Sequence, residues 1–407
     1  MAAEHYPRRD WEASDELRDQ FLLDPQVAFL NHGSFGACPR PVLARQGELR
    51  TELEREPVSF LHRSLPARLR EAREILSLEL GCLAHEVVFT SNVTTALNAV
   101  LRSLPLQAGA RVLVADHEYG ALVRAWQAEA ARRPLQIVGV HLALPVESPA
   151  AVVDAFARAG EGEAPETLLF VSHITSSTAL RLPMAELLAL AAQRGWRVLV
   201  DGAHAPGHLP LRLMELGVEA YGGNCHKWLM APKGCGFLYA DLEARQWLRP
   251  LVTSWGATNR PEAERQGAFL DELEWSGTMD PTPWLSLPAA VAFRKRWEWE
   301  SRAALCRQRL QEWGEHCQET LGLRRISPVD SSLQMLALEL PNCPLAAADL
   351  HHRLFEEHGV EVPTMELQGR TLLRVSLSPY NREADLRRLE NGLVALGAVS
   401  STFSNSH

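Results

Sequence analysis

Tyr221-Gly-Gly-Asn-Cys-His226-Lys227-Trp-Leu-Met-Ala-Pro-Lys-Gly-Cys-Gly236 is the stretch whose reading decides the fold. A lysine beside a histidine, with small residues before it and Pro-Lys-Gly-x-Gly after it, does not fit the surface of a helix or strand. It fits a buried amine on a glycine-rich turn. Upstream lies Asp201-Gly-Ala-His204-Ala-Pro-Gly207, directly after the apolar run Val198-Leu-Val200. An acid at the end of a strand is therefore followed in the chain by that amine. An amine able to meet a phosphorylated aldehyde, and a carboxylate able to keep a pyridine nitrogen protonated, are what pyridoxal phosphate (PLP) asks of a protein.

Outward from this stretch, short apolar runs alternate with helical patterns. Residues 111–115, 136–140, 167–172, 197–201 and 235–240 read as strands. Residues 121–132 and 183–194 read as helices, the second opened by Pro183 and closed by Gly195. Such alternation implies a mainly parallel sheet covered on both faces. Ligands bind such sheets beyond the carboxyl ends of the strands, where Asp201 and Ser172-His173 fall. After Asp280-Pro-Thr-Pro-Trp284 the character changes. Residues 289–321 read as one long charged helix, followed by a strand at 333–340, a helix at 346–358, a strand at 371–377 and a helix at 383–396. The expected organisation is an N-terminal arm at 1–25, a large domain at 26–285 and a smaller α+β domain at 286–407, with a polar, frayed tail at 400–407.

Composition narrows the function. The chain has 407 residues, 46% hydrophobic and 22% charged, as ordinary globular proteins do. A net charge of −9 provides no global basic field for nucleic acid or membrane phosphates. The seven cysteines show no CxxC pair and no zinc spacing, so free thiols in a reducing cytoplasm are expected and no metal site is. The N-terminus has no apolar signal region, and no apolar run is long enough to span a membrane.

Phe89-Thr-Ser-Asn-Val-Thr94-Thr95-Ala-Leu reads as a strand end, a turn and a helix start. Backbone N–H groups and hydroxyls at a helix N-terminus bind phosphate, so Thr94 and Thr95 are candidates for the phosphate cup; plain helix capping is the competing reading. A helix N-cap after its strand is the competing reading of Asp201, and a strand-end acid could do both jobs. Arg374 lies inside the otherwise apolar Leu373-Arg374-Val-Ser376-Leu, where a buried guanidinium needs a partner; an edge-strand arginine facing water is the alternative.

These segments, with Phe29-Leu-Asn-His-Gly-Ser-Phe-Gly36 and Asp116-His-Glu-Tyr119-Gly-Ala121, resemble fold-type I PLP enzymes of the class V aminotransferase superfamily. Within it the likeness is to the isopenicillin N epimerase-like group, and it runs from about residue 25 to 395. The resemblance implies a large α/β domain with a mainly parallel seven-stranded sheet, a smaller α+β domain, and a homodimer with composite sites. It implies that Lys227 is the Schiff-base lysine and Asp201 the partner of the ring nitrogen. His226 would donate to the phosphate. His204 would lie near the phenolic oxygen, where relatives often carry glutamine. Tyr119, favoured over His117 by alignment through Trp126, would stack on the ring. Ser176 would lie at the cofactor edge, where relatives often have asparagine. Thr278 would reach the phosphate of the neighbouring subunit. Arg374 would bind the substrate α-carboxylate, for which a guanidinium fork is suited. Asn31, His32 and Ser34 would contact substrate from an N-terminal loop.

All these enzymes begin by removing the Cα proton of an amino acid. Epimerisation, Cβ–S lysis of a cysteine conjugate or sulfoxide, and transamination then compete, and the same Lys, Asp and Arg serve each. Epimerisation is the leading expectation. A persulfide mechanism is disfavoured, because Cys343 lies before a helix and far upstream of Arg374.

Overall fold

The computed structural model describes residues 11–256, 266–327 and 332–399; the tail at 400–407 and the start of the expected N-terminal arm lie outside the described residues. The chain forms two compact units. The larger comprises 41–176 and 180–292, and the smaller 1–40, 177–179 and 293–407. The boundaries expected from the sequence lay at 26 and 286.

The larger unit is built on seven strands: β1 (Val87–Thr90), β2 (Arg111–Ala115), β3 (Gln136–Val140), β4 (Thr167–Ser172), β5 (Arg197–Asp201), β6 (Ala220–Asn224) and β7 (Gly236–Ala240). Their order is β1-β7-β6-β5-β4-β2-β3. The pairs from β6 through β5, β4 and β2 to β3 are parallel, and β7 runs antiparallel to both of its neighbours. Strands β2, β4, β6 and β7 are buried along their whole length. That is why they read as unbroken apolar runs: helices cover both faces. Helix α1 (Val93–Ser103) follows β1, α2 (Gly120–Ala130) follows β2, and α3 (Met184–Arg194) precedes β5. Gly195 ends α3 at φ 64°, as expected of a left-handed cap. Val93, Ala96, Leu97 and Val100 of α1 share one core with Val112, Val114 and Leu238.

Strand β6 was not expected. Its sequence, Ala-Tyr-Gly-Gly-Asn, carries two glycines that ordinarily weaken a strand. Here they are demanded by packing. A Cβ on Gly222 would sit 2.9 Å from Leu97 Cγ, and one on Gly223 would sit 2.4 Å from the Phe237 ring.

The smaller unit has a four-stranded antiparallel sheet of β8 (Arg324–Arg325), β9 (Met335–Glu339), β10 (Thr364–Leu367) and β11 (Arg370–Ser376), in the order β10-β11-β9-β8. Helices α4 (Trp299–Leu321), α5 (Ala347–His358) and α6 (Glu383–Ala395) belong to it. The single helix expected over 289–321 is two. Leu287–Arg296 ends, Glu298 takes φ 47°, and α4 begins at Trp299. A continuous helix would place residues 297 and 299 on different faces. The break turns Trp299 into a cluster with Phe293, at 5.9 Å between ring centroids, and Phe21, at 6.1 Å. Among the described residues no helix is long and apolar enough to cross a membrane.

Candidate active site

In the larger unit the sequence-predicted residues gather at strand ends. After Asp201 the chain passes close to Tyr221, where a Cβ on Gly202 would lie 1.8 Å from the ring. Asp201 is 2% exposed, and its Oδ1 accepts the Ala203 N–H at 2.8 Å. It caps a turn and not the helix N-terminus that the sequence offered as its competing role. Burial lifts its pKa to about 6, opposed by that N–H and by the charge of Lys227.

Lys227 is 9% exposed, and its Nζ lies 3.2 Å from Nε2 of the buried His204. The turn that carries it is tied back by the Cys225 and Ala231 amides, the first onto Cys235 and the second onto Cys225. His226 Nδ1 lies 3.3 Å from the carbonyl of Cys235, which can only accept, so Nδ1 carries the proton. Burial, and then the charge of Lys227, hold its pKa at about 4. A second proton, on Nε2, is required before this ring can donate to an anion from that side.

The turn between β1 and α1 is organised by a residue the sequence reading passed over. Asn92 is the N-cap: its Oδ1 accepts the Thr95 N–H at 2.9 Å. Ser91 Oγ donates to Thr95 Oγ1 at 3.0 Å. Asn224, at the end of β6, accepts the Val93 N–H at 3.0 Å and fastens this helix start to the strand leading to Lys227. Gly236 allows the close approach, since a Cβ there would fall 2.6 Å from Asn92 Cα. Thr94 is half-buried and Thr95 exposed.

Tyr119 precedes α2 and is 44% exposed, whereas His117 is fully buried. Burial lowers the pKa of His117. At the end of β4, His173 Nδ1 lies 2.9 Å from Tyr221 Oη, and burial brings the His173 pKa to about 4. Thr175 is buried, with its Oγ1 accepting the Leu180 N–H at 2.8 Å, and Ser176 beside it is half-buried. Thr278 is exposed on a loop that turns at Gly277, φ 123°. That loop is anchored where Asp280 accepts from Arg50 Nε at 2.8 Å and from Thr282 N–H at 2.8 Å. Lys233, the nearby alternative amine, lies in the turn after Lys227.

In the smaller unit Arg374 points inward from β11 and is 3% exposed. Its Nη2 donates to Ser34 Oγ at 2.8 Å and to Asn31 Oδ1 at 3.2 Å. Burial lowers its pKa to about 10. Asn31 is oriented from its other end, where Nδ2 donates to Glu361 Oε1 at 2.8 Å. His32 is buried, its Nδ1 2.8 Å from Tyr380 Oη. Gly33 lets this loop lie on the sheet, since a Cβ would meet Met335 Sδ at 2.6 Å.

Glu118 and Ser172 complete the larger unit's cluster. Glu118 Oε1 accepts the Ser172 N–H at 2.9 Å, and Glu118 Oε2 is bonded to Ser172 Oγ. The sequence signal for Glu118 was present in Asp116-His-Glu-Tyr119, but nothing in one sequence says which of those side chains turns inward.

The donor set fits a phosphorylated pyridine aldehyde. It supplies a buried amine, a buried acid on a strand end, a capped helix start and glycines that admit close approach.

Comparison with known proteins agrees. The aminotransferase class-V family model matches residues 38–389. An isopenicillin N epimerase of Amycolatopsis lactamdurans is 38% identical over 401 residues, covering 93% of this chain and 97% of that one. A probable chloroplastic L-cysteine desulfhydrase of Arabidopsis thaliana is 26% identical, covering 96% of this chain and 88% of that one. Among solved structures, a C-DES variant with glycine covalently linked to its PLP cofactor superposes with a TM-score of 0.80 at 21% identity, covering 94% of this chain and 99% of that one. The chain belongs to the class V aminotransferase family, in its isopenicillin N epimerase-like group, and is a PLP-dependent enzyme of the fold-type I architecture.

Proposed function

We propose that this enzyme inverts the configuration at Cα of an amino acid or of an aminoacyl side chain. The observation that carries the reading is the 38% identity to an isopenicillin N epimerase along nearly the full length of both chains. PLP, when bound, withdraws electrons from Cα and so acidifies its proton. Lys227 Nζ is the amine that meets the cofactor aldehyde. The same amine would take the Cα proton from one face, and inversion follows when a proton is returned to the opposite face. His204, 3.2 Å from the Lys227 nitrogen, orients it and would lie near the phenolic oxygen of the bound cofactor. Asp201 holds the proton on the ring nitrogen. His226, Thr94 and Thr95 receive the phosphate, Tyr119 covers the ring, and Ser176 borders it. Arg374, steadied by Asn31 and Ser34, takes the substrate carboxylate, with His32 behind the same loop. The working form is a homodimer in which Thr278 serves the neighbouring subunit's phosphate.

Cβ–S lysis is the second reading, supported by the desulfhydrase relative. A direct elimination needs no cysteine. Cys343, between β9 and α5 with its Sγ 3.6 Å from the Leu345 carbonyl, is ill placed to serve as a persulfide carrier.

One experiment tests both readings. Purified enzyme is incubated with candidate amino acids in D2O alongside Lys227→Ala. Cα deuteration with racemisation is expected. Release of pyruvate or sulfide instead supports lysis, and a keto acid supports transamination. Lys227→Ala should be colourless and inert; if it keeps the visible absorbance of lysine-bound cofactor, the assignment of Lys227 fails.

A further inference from the structure

Glu118 has no place in the chemistry above, yet it joins the two parts of the cluster that have to agree in position. It lies in the turn after β2, immediately before Tyr119, and is buried. Both of its oxygens are engaged by Ser172, the last residue of β4, which is paired in register with Asp201. The next residue, His173, donates its N–H to the Asp201 carbonyl at 2.9 Å. One carboxyl thus ties the turn bearing Tyr119 to the strand end bearing Asp201. We propose that Glu118 is a positioning residue that sets Tyr119 against Asp201, and that it holds a proton of its own so that Asp201 is the buried anion offered to the cofactor's ring nitrogen. This rests on the role given to Asp201 above.

Two carboxyls buried close together do not both ionise without cost. Their partners decide which keeps the proton. Asp201 has the Ala203 N–H and the charge of Lys227. Among the described residues Glu118 is bonded by the N–H and hydroxyl of a neutral serine, and the charge of Asp201 works against it. Burial lifts Glu118 to about 8 and Asp201 to about 6. Other titratable groups face this pair. His173, from β4, is held at about 4, and Tyr221, from β6, is pushed well above its usual range by burial and by Asp201. In the turn itself, His117 is lowered by burial, and Asp116 points to His141, 2.7 Å away, and to the Leu142 N–H. A protonated carboxyl accepts the Ser172 N–H with one oxygen and donates to Ser172 Oγ with the other. A glutamine amide does the same.

The test follows absorbance and induced circular dichroism of the bound cofactor against pH in holoenzyme, Glu118→Gln, Glu118→Ala, Ser172→Ala and Asp201→Asn. Wild type should show a spectral step as pH rises through about 8, and Glu118→Gln should keep the wild-type dichroism at pH 7 and lose that step. Glu118→Ala should lose dichroism and bind cofactor about tenfold more weakly, the equivalent of one hydrogen bond. Ser172→Ala, which spares the backbone bond, should shift in the same direction by less. A wild-type spectrum, affinity and pH step in Glu118→Ala overturns the proposal, and so does a Glu118→Gln that behaves like Glu118→Ala. With Asp201→Asn altered, either result leaves the role of Asp201 standing; an unaltered Asp201→Asn overturns that role and the proposal together.

Discussion

Glu118 and Asp201 are buried acids lifted from 4.5 and 3.8 to about 8 and about 6, while His173 and His226 are buried bases lowered from 6.5 to about 4. Linkage fixes the sign of each contribution. A raised acid binds more protons folded than unfolded. Its stabilisation is complete below the unfolded pKa and is lost as pH climbs through the folded one. A lowered histidine does the opposite: its share is present above 6.5 and lost as pH falls through about 4. Between pH 4.5 and 6 these groups oppose one another. From 6.5 to 8 both imidazoles are neutral folded or unfolded and Asp201 has finished titrating, so within this cluster only Glu118 still acts. Apoenzyme stability is expected to fall over that window, the share of Glu118 being on the order of 1–2 kcal/mol. Glu118→Gln should flatten the slope in urea unfolding followed at several pH values. An equal slope in the variant would show Glu118 titrating alike in both states.

At the level of elements, the parallel strands were legible because double-sided burial leaves an unbroken apolar run, as in Arg111–Ala115 and Arg197–Asp201. β6 was illegible for the reason that makes it work. Its glycines lower strand propensity, and only the position of α1 shows that side chains there would collide with Val93 and Leu97. The lysine turn was visible from residue types alone. The Asn224 anchor was not, since an asparagine's partner 131 residues away in the chain leaves no local pattern; the Asn92 cap, bonded to Thr95 three residues on, left a local one that was passed over. The break at Glu298 lets Trp297 and Trp299 both pack against Phe293, which periodicity does not reveal. Gly222→Ala should therefore destabilise the larger unit by about 1–3 kcal/mol through overpacking. With α1 proposed to begin the phosphate cup, the same change is expected to weaken cofactor binding while leaving secondary structure intact by far-UV circular dichroism. Unchanged stability would mean that α1 yields freely to the added methyl.

For the whole molecule, a net charge of −9 and ordinary apolar content exclude partner classes but name no substrate. The family was legible from local motifs, and the reaction was not, because every branch uses the same lysine, acid and arginine. Subunit organisation is where the molecule can be questioned directly. Thr278 is exposed on a loop in which Asp280, two residues on, accepts from Arg50 Nε and from the Thr282 N–H. If it serves a neighbouring subunit, Lys227→Ala and Thr278→Ala are defects that complement. The Lys227→Ala homodimer is dead. The Thr278→Ala homodimer loses a charge-assisted hydrogen bond to phosphate and should need roughly tenfold more cofactor. In a hybrid of the two, one site combines both lesions. The other pairs an intact Lys227 with an intact Thr278 from the opposite chain. Mixing and reassociating the two variants should therefore restore activity at limiting cofactor above that of either alone. With Thr278 acting in its own subunit, each hybrid site carries one lesion and mixing restores nothing, which separates the two arrangements by a single activity measurement.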